Sequence, residues 1–261
     1  MLGKLLKHEF KATARLLLPI YLVLFVLTIV DRIALSIDFR GALNVIPGFA
    51  TMAYVISIVT IAVVSLVIIV LRFYKNLMTD EGYLMFTLPV KPSQLINSKL
   101  LVSMFWNLVS FLLIIASLLG VFLTRERFGL LKDGIRMVLN EMGKEFGTFN
   151  MTLLTIEFIV LVIIALINNI LIIYASIAVG QLFNGHKVLG SFAAYIGIST
   201  VLQIVVTVAL ITLGALFHKS FEEISALPQI VFPLTIGFTI IANGLFYWGT
   251  NFIFNRKLNL E

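Results

Sequence analysis

The chain has 261 residues, 60% of them hydrophobic and only 12% charged, with a formal net charge of +6 and a mean hydropathy of +1.08. Soluble domains carry roughly 45–50% apolar and about 25% charged residues, so a water-soluble enzyme or binding module is excluded. With no cysteine, neither disulfides nor thiolate metal sites enter, though that absence does not identify the redox compartment.

In chain order, residues 1–15 come first. Leu2, Leu5, Leu6 and Phe10 recur at helical spacing, with Lys4, Lys7, His8 and Lys11 turned elsewhere. This pattern predicts an amphipathic elbow helix lying in the membrane interface, its cations toward anionic headgroups. Pro19 is the expected bend between that helix and the first span. An ordinary start to a membrane helix is the plainer alternative. A secretory signal is disfavoured by the long amphipathic lead and the lack of a small-residue cleavage site.

A hydrocarbon core about 30 Å thick needs about 20 mostly apolar residues per helix. Six stretches qualify: residues 16–36, 48–72, 100–123, 152–180, 189–217 and 230–254. No window alternates with period 2 as barrel strands would, so the expected fold is all-α, a single membrane domain over 1–261.

Between spans 2 and 3, residues 73–99 leave the membrane. Thr79 to Phe86 is a short helix-capable core that opens on an N-cap-like Thr79 with Asp80 and Glu81, which suit a helix N-terminus. Pro89 and Pro92 close it. Tyr83, Leu84, Met85 and Phe86 form an apolar cluster that is awkward on a free loop, so the segment reads as a docking element for another protein.

Lys and Arg set orientation. The side holding the N-terminus, the 72–99 loop, the 181–188 loop and the 255–261 tail has eleven cations against four acids. The other side, with the end of span 1 and the loop after it (Asp31, Arg32, Asp38 and Arg40) and loops 124–151 and 218–229, has eight of each. Both termini are therefore expected on the cytoplasmic side of the membrane. The pI near 9.6 is an orientation signal, and the thin spread of basic residues argues against nucleic acid.

Within the spans, polar residues fall in rows. Span 5 carries Ser191, Tyr195, Ser199, Gln203 and Thr207 at four-residue steps, and span 6 carries Thr235, Thr239, Asn243, Tyr247 and Asn251. Such groups pack against other helices or line a path. The pairs Gly190/Ala194 and Ala193/Gly197 allow close helix approach, at a dimer seam or within the subunit. Glu157 is singled out as a carboxylate inside a predicted span, a candidate for proton coupling or substrate contact, although it stands near the span's outer end, while Asp31 near the end of span 1 is counted with the outer charges. Asn168 and Asn169 are expected to form interhelical hydrogen bonds. Outside, Leu131, Ile135, Val138, Met142 and Phe146 predict an amphipathic helix on the outer leaflet or over a pore. Pro228 and Pro233 agree with a broken helix before span 6.

Catalysis finds no support. The three histidines, His8, His186 and His218, fall on opposite sides of the membrane, and there is no HExxH. There is also no GxxxxGK[ST] phosphate loop; Gly3-Lys4 and Gly143-Lys144 lack its flanking residues. A secondary transporter is the main rival class, but inverted repeats and midplane charges are not evident.

The elbow, the six spans, the string FYKNLMTDEGYLMFTLPVKPSQLINSKL and the later YASIAVGQLFNGHKVLGSFAAYIG (Tyr174 to Gly197) together resemble the permease subunit of type-2 ATP-binding-cassette (ABC) transporters, particularly of Gram-positive bacteria. The resemblance covers nearly the whole chain, and DEGYLMFTLPV is its most specific part. It implies a cytoplasmic coupling helix carried by Thr79, Asp80, Glu81, Gly82, Tyr83, Leu84, Met85 and Phe86 and lodged in a separate cytosolic ATPase, two of which bind ATP and Mg2+ per complex. It also implies a second permease chain, identical or different. This chain would itself bind no cofactor or metal. The expected activity is export of an amphipathic or hydrophobic substrate, peptides first among peptides, lipids and drugs. The alternatives are a secondary carrier or a non-transport membrane scaffold.

Overall fold

A computed structural model describes residues 2–37, 43, 45–78, 91–123, 125–183, 185–216 and 227–256. Among them regular structure is helical throughout: α1 (Leu2–Ser36), α2 (Ile46–Met78), α3 (Pro92–Phe122), α4 (Arg125–Gly180), α5 (Lys187–Leu216) and α6 (Leu227–Arg256). Six helical segments are long and apolar enough to cross a bilayer: Leu2–Ser36, Ile46–Lys75, Pro92–Phe122, Met151–Gly180, Lys187–Ala215 and Ile230–Asn255. They match the six expected stretches, and they define a multi-pass membrane protein. Large side chains such as Phe25, Phe49 and Ile211 stand two-thirds exposed on these helices, a surface suited to lipid and not to water.

Prolines mark the helix starts. Pro92 opens α3, while Pro47 and Pro228 are the second residues of α2 and α6. A missing N–H costs nothing there, because first-turn donors have no intrahelical partner. One expected break is absent, and the residue of one expected bend does not interrupt its helix. α1 runs as one helix through Pro19, and α6 continues through Pro233, just past its first turns. The helix expected over 131–146 exists, but it is no separate element. It belongs to the 56-residue α4, which continues into the fourth span.

The chain forms two compact units. The first comprises residues 1–72 and 97–136, the second residues 73–96 and 137–261. The first unit's core joins Leu17, Tyr21 and Leu24 of α1, Tyr54, Ile61 and Ile68 of α2, and Val102, Trp106 and Val121 of α3. Tyr54, Ile61 and Ile68 recur every seven residues, two helical turns, so one face of α2 meets its neighbours throughout. α3 answers with Ser103, Ser110 and Ser117, buried at the same interval. Small side chains let helices approach closely, and their hydroxyls pair with the partner helices. Tyr21 Oη lies 2.7 Å from Ser110 Oγ, and Tyr54 Oη lies 2.8 Å from Ser117 Oγ. At the other end of α3, Arg32 Nη1 donates to the carbonyls of Gly120, Val121 and Leu123 at 3.0, 2.8 and 3.2 Å. Gly120 and Val121 hold two of the last carbonyls of the helix, which lack intrahelical partners, and Leu123 follows directly after it.

In the second unit, Phe73 stacks on Tyr174 with ring centroids 3.6 Å apart and meets Phe254 edge-on at 5.9 Å. Gly185, at φ 96°, turns the chain between α4 and α5. A Cβ at Gly180 would sit 2.6 Å from Ser191 Cα, so only glycine fits where the end of α4 meets the start of α5.

These contacts separate two roles of the α3 serines. Ser110→Leu is expected to overpack the α1–α3 contact and cost about 1–3 kcal/mol. Ser110→Ala, which removes only the hydrogen bond, should cost about 0.6 kcal/mol. Thermal unfolding of the detergent-solubilised protein measures both, and an alanine cost equal to the leucine cost would mean that the hydroxyl, not the space, matters.

Candidate functional site

The residues assigned to docking, Thr79 to Phe86, lie outside the described residues. Their two flanks are described, and at the flanks a buried ionic cluster appears. Glu9 stands on the same face of α1 as the core residues Thr13, Leu17, Tyr21 and Leu24. Its Oε1 accepts a hydrogen bond from Lys99 Nζ at 2.6 Å. Its Oε2 accepts from Arg72 Nη2 at 2.9 Å and Nε at 3.1 Å. Glu9 is 8% exposed and Lys99 4%. Charges buried this deeply persist only when paired and hydrogen-bonded. One turn further on, Thr13 Oγ1 donates to the Glu9 carbonyl at 2.8 Å and accepts from Trp106 Nε1 at 2.7 Å.

Of the expected elbow residues, Lys4, Lys7 and Lys11 are exposed. Phe10 is half-buried and meets Phe105 and Trp106 at centroid distances of 4.9 and 6.2 Å. Leu6 and Phe10 thus pack on the core of the first unit.

A second acid was counted among the outer loop charges and proves to be interior. Asp31 is fully buried; its Oδ1 accepts from Thr51 Oγ1 at 2.8 Å, while Oδ2 has no partner among the described residues. The signal was available: Asp31 lies seven residues after Leu24, on the same buried stripe of α1.

In the second unit the polar rows divide. Asn168 Nδ2 donates to Asn243 Oδ1 at 2.8 Å, and Asn243 Nδ2 donates to the Ile164 carbonyl at 3.2 Å, so α4 and α6 are joined as Asn168 suggested, whereas Asn169 is exposed and makes no side-chain hydrogen bond among the described residues. Thr235 and Thr239 hydrogen-bond to carbonyls four residues back on their own helix. On α5, Ser191 is half-buried and bonds the Lys187 carbonyl at 2.9 Å. Ser199 is half-buried too, whereas Tyr195, Gln203 and Thr207 are exposed. Among the described residues no hydrogen bond joins this row to α6. Gly190 packs on the Phe183 ring, within the subunit, whereas a Cβ at Gly197 would meet open space. Glu157 is half-buried, and its Oε2 has no partner among the described residues.

A cavity of about 230 Å³ lies between α4, α5 and α6 of this unit, lined by aliphatic side chains, Phe238, and the polar residues Asn168, Thr235 and Thr239. The Thr235 and Thr239 hydroxyls bond their own helix and Asn168 gives an N–H to Asn243, so the rest of the wall is apolar. Sites for drug-sized ligands run to about 300–1,000 Å³, so this cavity is smaller than such a site. Among the described residues no three His, Asp or Glu side chains converge on one point.

No family model, no curated protein and no solved structure matches this chain.

Two experiments probe the second unit. A double-mutant cycle with Asn168→Leu and Asn243→Leu should give a coupling of about 0.6–1.7 kcal/mol by reversible unfolding in detergent or bicelles. Gly180→Ala should destabilise by about 1–3 kcal/mol by forcing α4 from α5, with Gly197→Ala near zero in the same assay.

Proposed function

We propose that this chain is the membrane-spanning permease subunit of an ATP-driven ABC exporter and works as a pair with a second permease chain. Its energy would come from separate cytosolic ATPase subunits, two per complex. The observation that carries the reading is the arrangement around residues 73–99. Six spanning helices leave one segment between the second and third that is flanked by Arg72, Lys75, Lys91 and Lys99 and carries Asp80, Glu81, Tyr83, Leu84, Met85 and Phe86. On the cation count that segment is cytoplasmic, where an ATPase cleft could receive it. ATP binding would draw the two ATPase subunits together, and the segment would pass that displacement to the spans. The exposed Lys4, Lys7 and Lys11 suit contact between the lead of α1 and anionic headgroups.

Export is favoured over import because no feature points to a binding-protein partner. An apolar interior with scattered hydroxyls and amides suits an amphipathic or hydrophobic cargo, peptides first. The ATP and Mg2+ would be held by the partner, in a complex set in the bacterial plasma membrane with both termini of this chain in the cytoplasm.

A second reading, a proton-coupled secondary carrier, draws on Asp31 and Glu157, which each hold a buried carboxylate oxygen with no partner among the described residues. Uptake or efflux driven by a pH gradient in vesicles holding this chain alone would favour it.

The docking assignment is tested by Glu81→Ala with Tyr83→Ala. Loss of an aromatic anchor typically costs about 2 kcal/mol or more, so ATPase retention should weaken roughly thirtyfold or beyond while membrane insertion is unchanged. Full retention of the ATPase by the double variant would refute the assignment.

A further inference from the structure

The Glu9 cluster bridges more than two helices. Arg72 and Lys99, the two cations on its carboxylate, stand in sequence on either side of residues 73–98, which contain the proposed docking segment. One side chain near the start of α1 therefore holds both roots of that segment. Seven residues along α3 from Lys99, Trp106 fixes the same lead through Thr13 at 2.7 Å, and Phe10 packs on Phe105 and Trp106. Glu9 is the single acid within the first fifteen residues, and it faces inward while Lys4, Lys7 and Lys11 stay exposed.

Stability alone does not account for three charges at this point. Replacing a buried ion cluster by apolar side chains of similar volume is often neutral or stabilising. What the charges supply is directional geometry. A guanidinium giving two donors to one carboxylate oxygen, with an ammonium on the other, admits one register of three helices, whereas an apolar contact tolerates sliding.

We infer that Glu9 is a positioning residue that ties both roots of the docking segment to the lead of α1, so that displacement of the segment carries α1, α2 and α3 together. The inference rests on the docking reading given above. It adds a route: force enters at the segment, divides between α2 and α3, and reaches α1 through one carboxylate and not through the chain. A merely structural cluster would stabilise the fold at rest and leave nucleotide-driven motion untouched.

The test uses the complex of this chain with its ATPase in proteoliposomes, with ATP, Mg2+ and vanadate as the probe. Because the chain has no cysteine, spin labels at Lys7→Cys and Leu101→Cys, both exposed in the parent, report the separation of the lead from α3. The parent should give one narrow distance that nucleotide does not change. The apolar triple variant Glu9→Leu, Arg72→Leu, Lys99→Met, which removes all three charges of the cluster, should unfold at a similar temperature and retain the ATPase. Its label distance should broaden or shift when nucleotide is added, and Lys99→Arg, which keeps the ion pair, should behave as the parent.

A triple variant as insensitive to nucleotide as the parent would overturn the inference. So would a parent whose label distance itself changes with nucleotide, or a triple variant that no longer retains the ATPase, since Glu9 would then serve assembly. Failure of the parent chain to retain any ATPase is read before a Glu9 variant is made. It would sink the docking reading, and the transmission role with it.

Discussion

A bilayer offers no water to a polar group that lacks a partner, and each unsatisfied donor or acceptor in hydrocarbon costs several kcal/mol. The first unit meets this constraint by pairing side chains across helices at repeated levels: Glu9 with Arg72 and Lys99, Thr13 with Trp106, Tyr21 with Ser110, Tyr54 with Ser117, and Arg32 with the carbonyls that end α3. These contacts run from one end of α3 to the other. Each large donor or acceptor meets a small or charged counterpart on the neighbouring helix, so close approach and polar satisfaction come from the same residues. The second unit uses fewer such pairs. The Asn168–Asn243 bond is its counterpart, with aromatic stacking of Phe73 on Tyr174 and the glycine contact at Gly180. Its fifth helix has no buried residues in its spanning window, which leaves it the least committed of the six to this subunit's own interior.

The spans were legible because length and hydropathy are properties of a contiguous stretch, and lipid imposes both on each helix separately. The same local logic reached Asn168, since an amide in mid-span needs a partner. It did not reach the Glu9 cluster, whose members are 63 and 90 residues apart in sequence. Glu9 interrupts an apolar face at the position where Leu2, Leu5 and Leu6 point inward, and that is the one local hint that it is interior. Asp31 was misplaced for a related reason: counting charges by loop assigns an acid near a span end to water, while its seven-residue step from Leu24 puts it on the buried stripe.

Helix continuity was the least legible feature. Proline suggested a bend at 19 and a break at 233, yet both helices are continuous, since a single missing N–H within a long helix can be absorbed when the rest of the helix is held by its neighbours. The stripe from Leu131 to Met142 correctly indicated a helix, but periodicity says nothing about where that helix ends, and α4 runs on into the fourth span. The docking segment is the converse case: its composition is the most specific signal in the chain, and it falls outside the described residues. The arrangement of its flanking helices is what connects it to the rest of the protein.

The account turns on which side of the membrane residues 73–99 occupy. With no native cysteine, single replacements can be mapped by a membrane-impermeant maleimide added to intact cells or to inverted vesicles. The account predicts that Tyr83→Cys is labelled only in inverted vesicles, together with Lys7→Cys, and that Lys132→Cys is labelled only in intact cells. Labelling of Tyr83→Cys from outside the intact cell would contradict it.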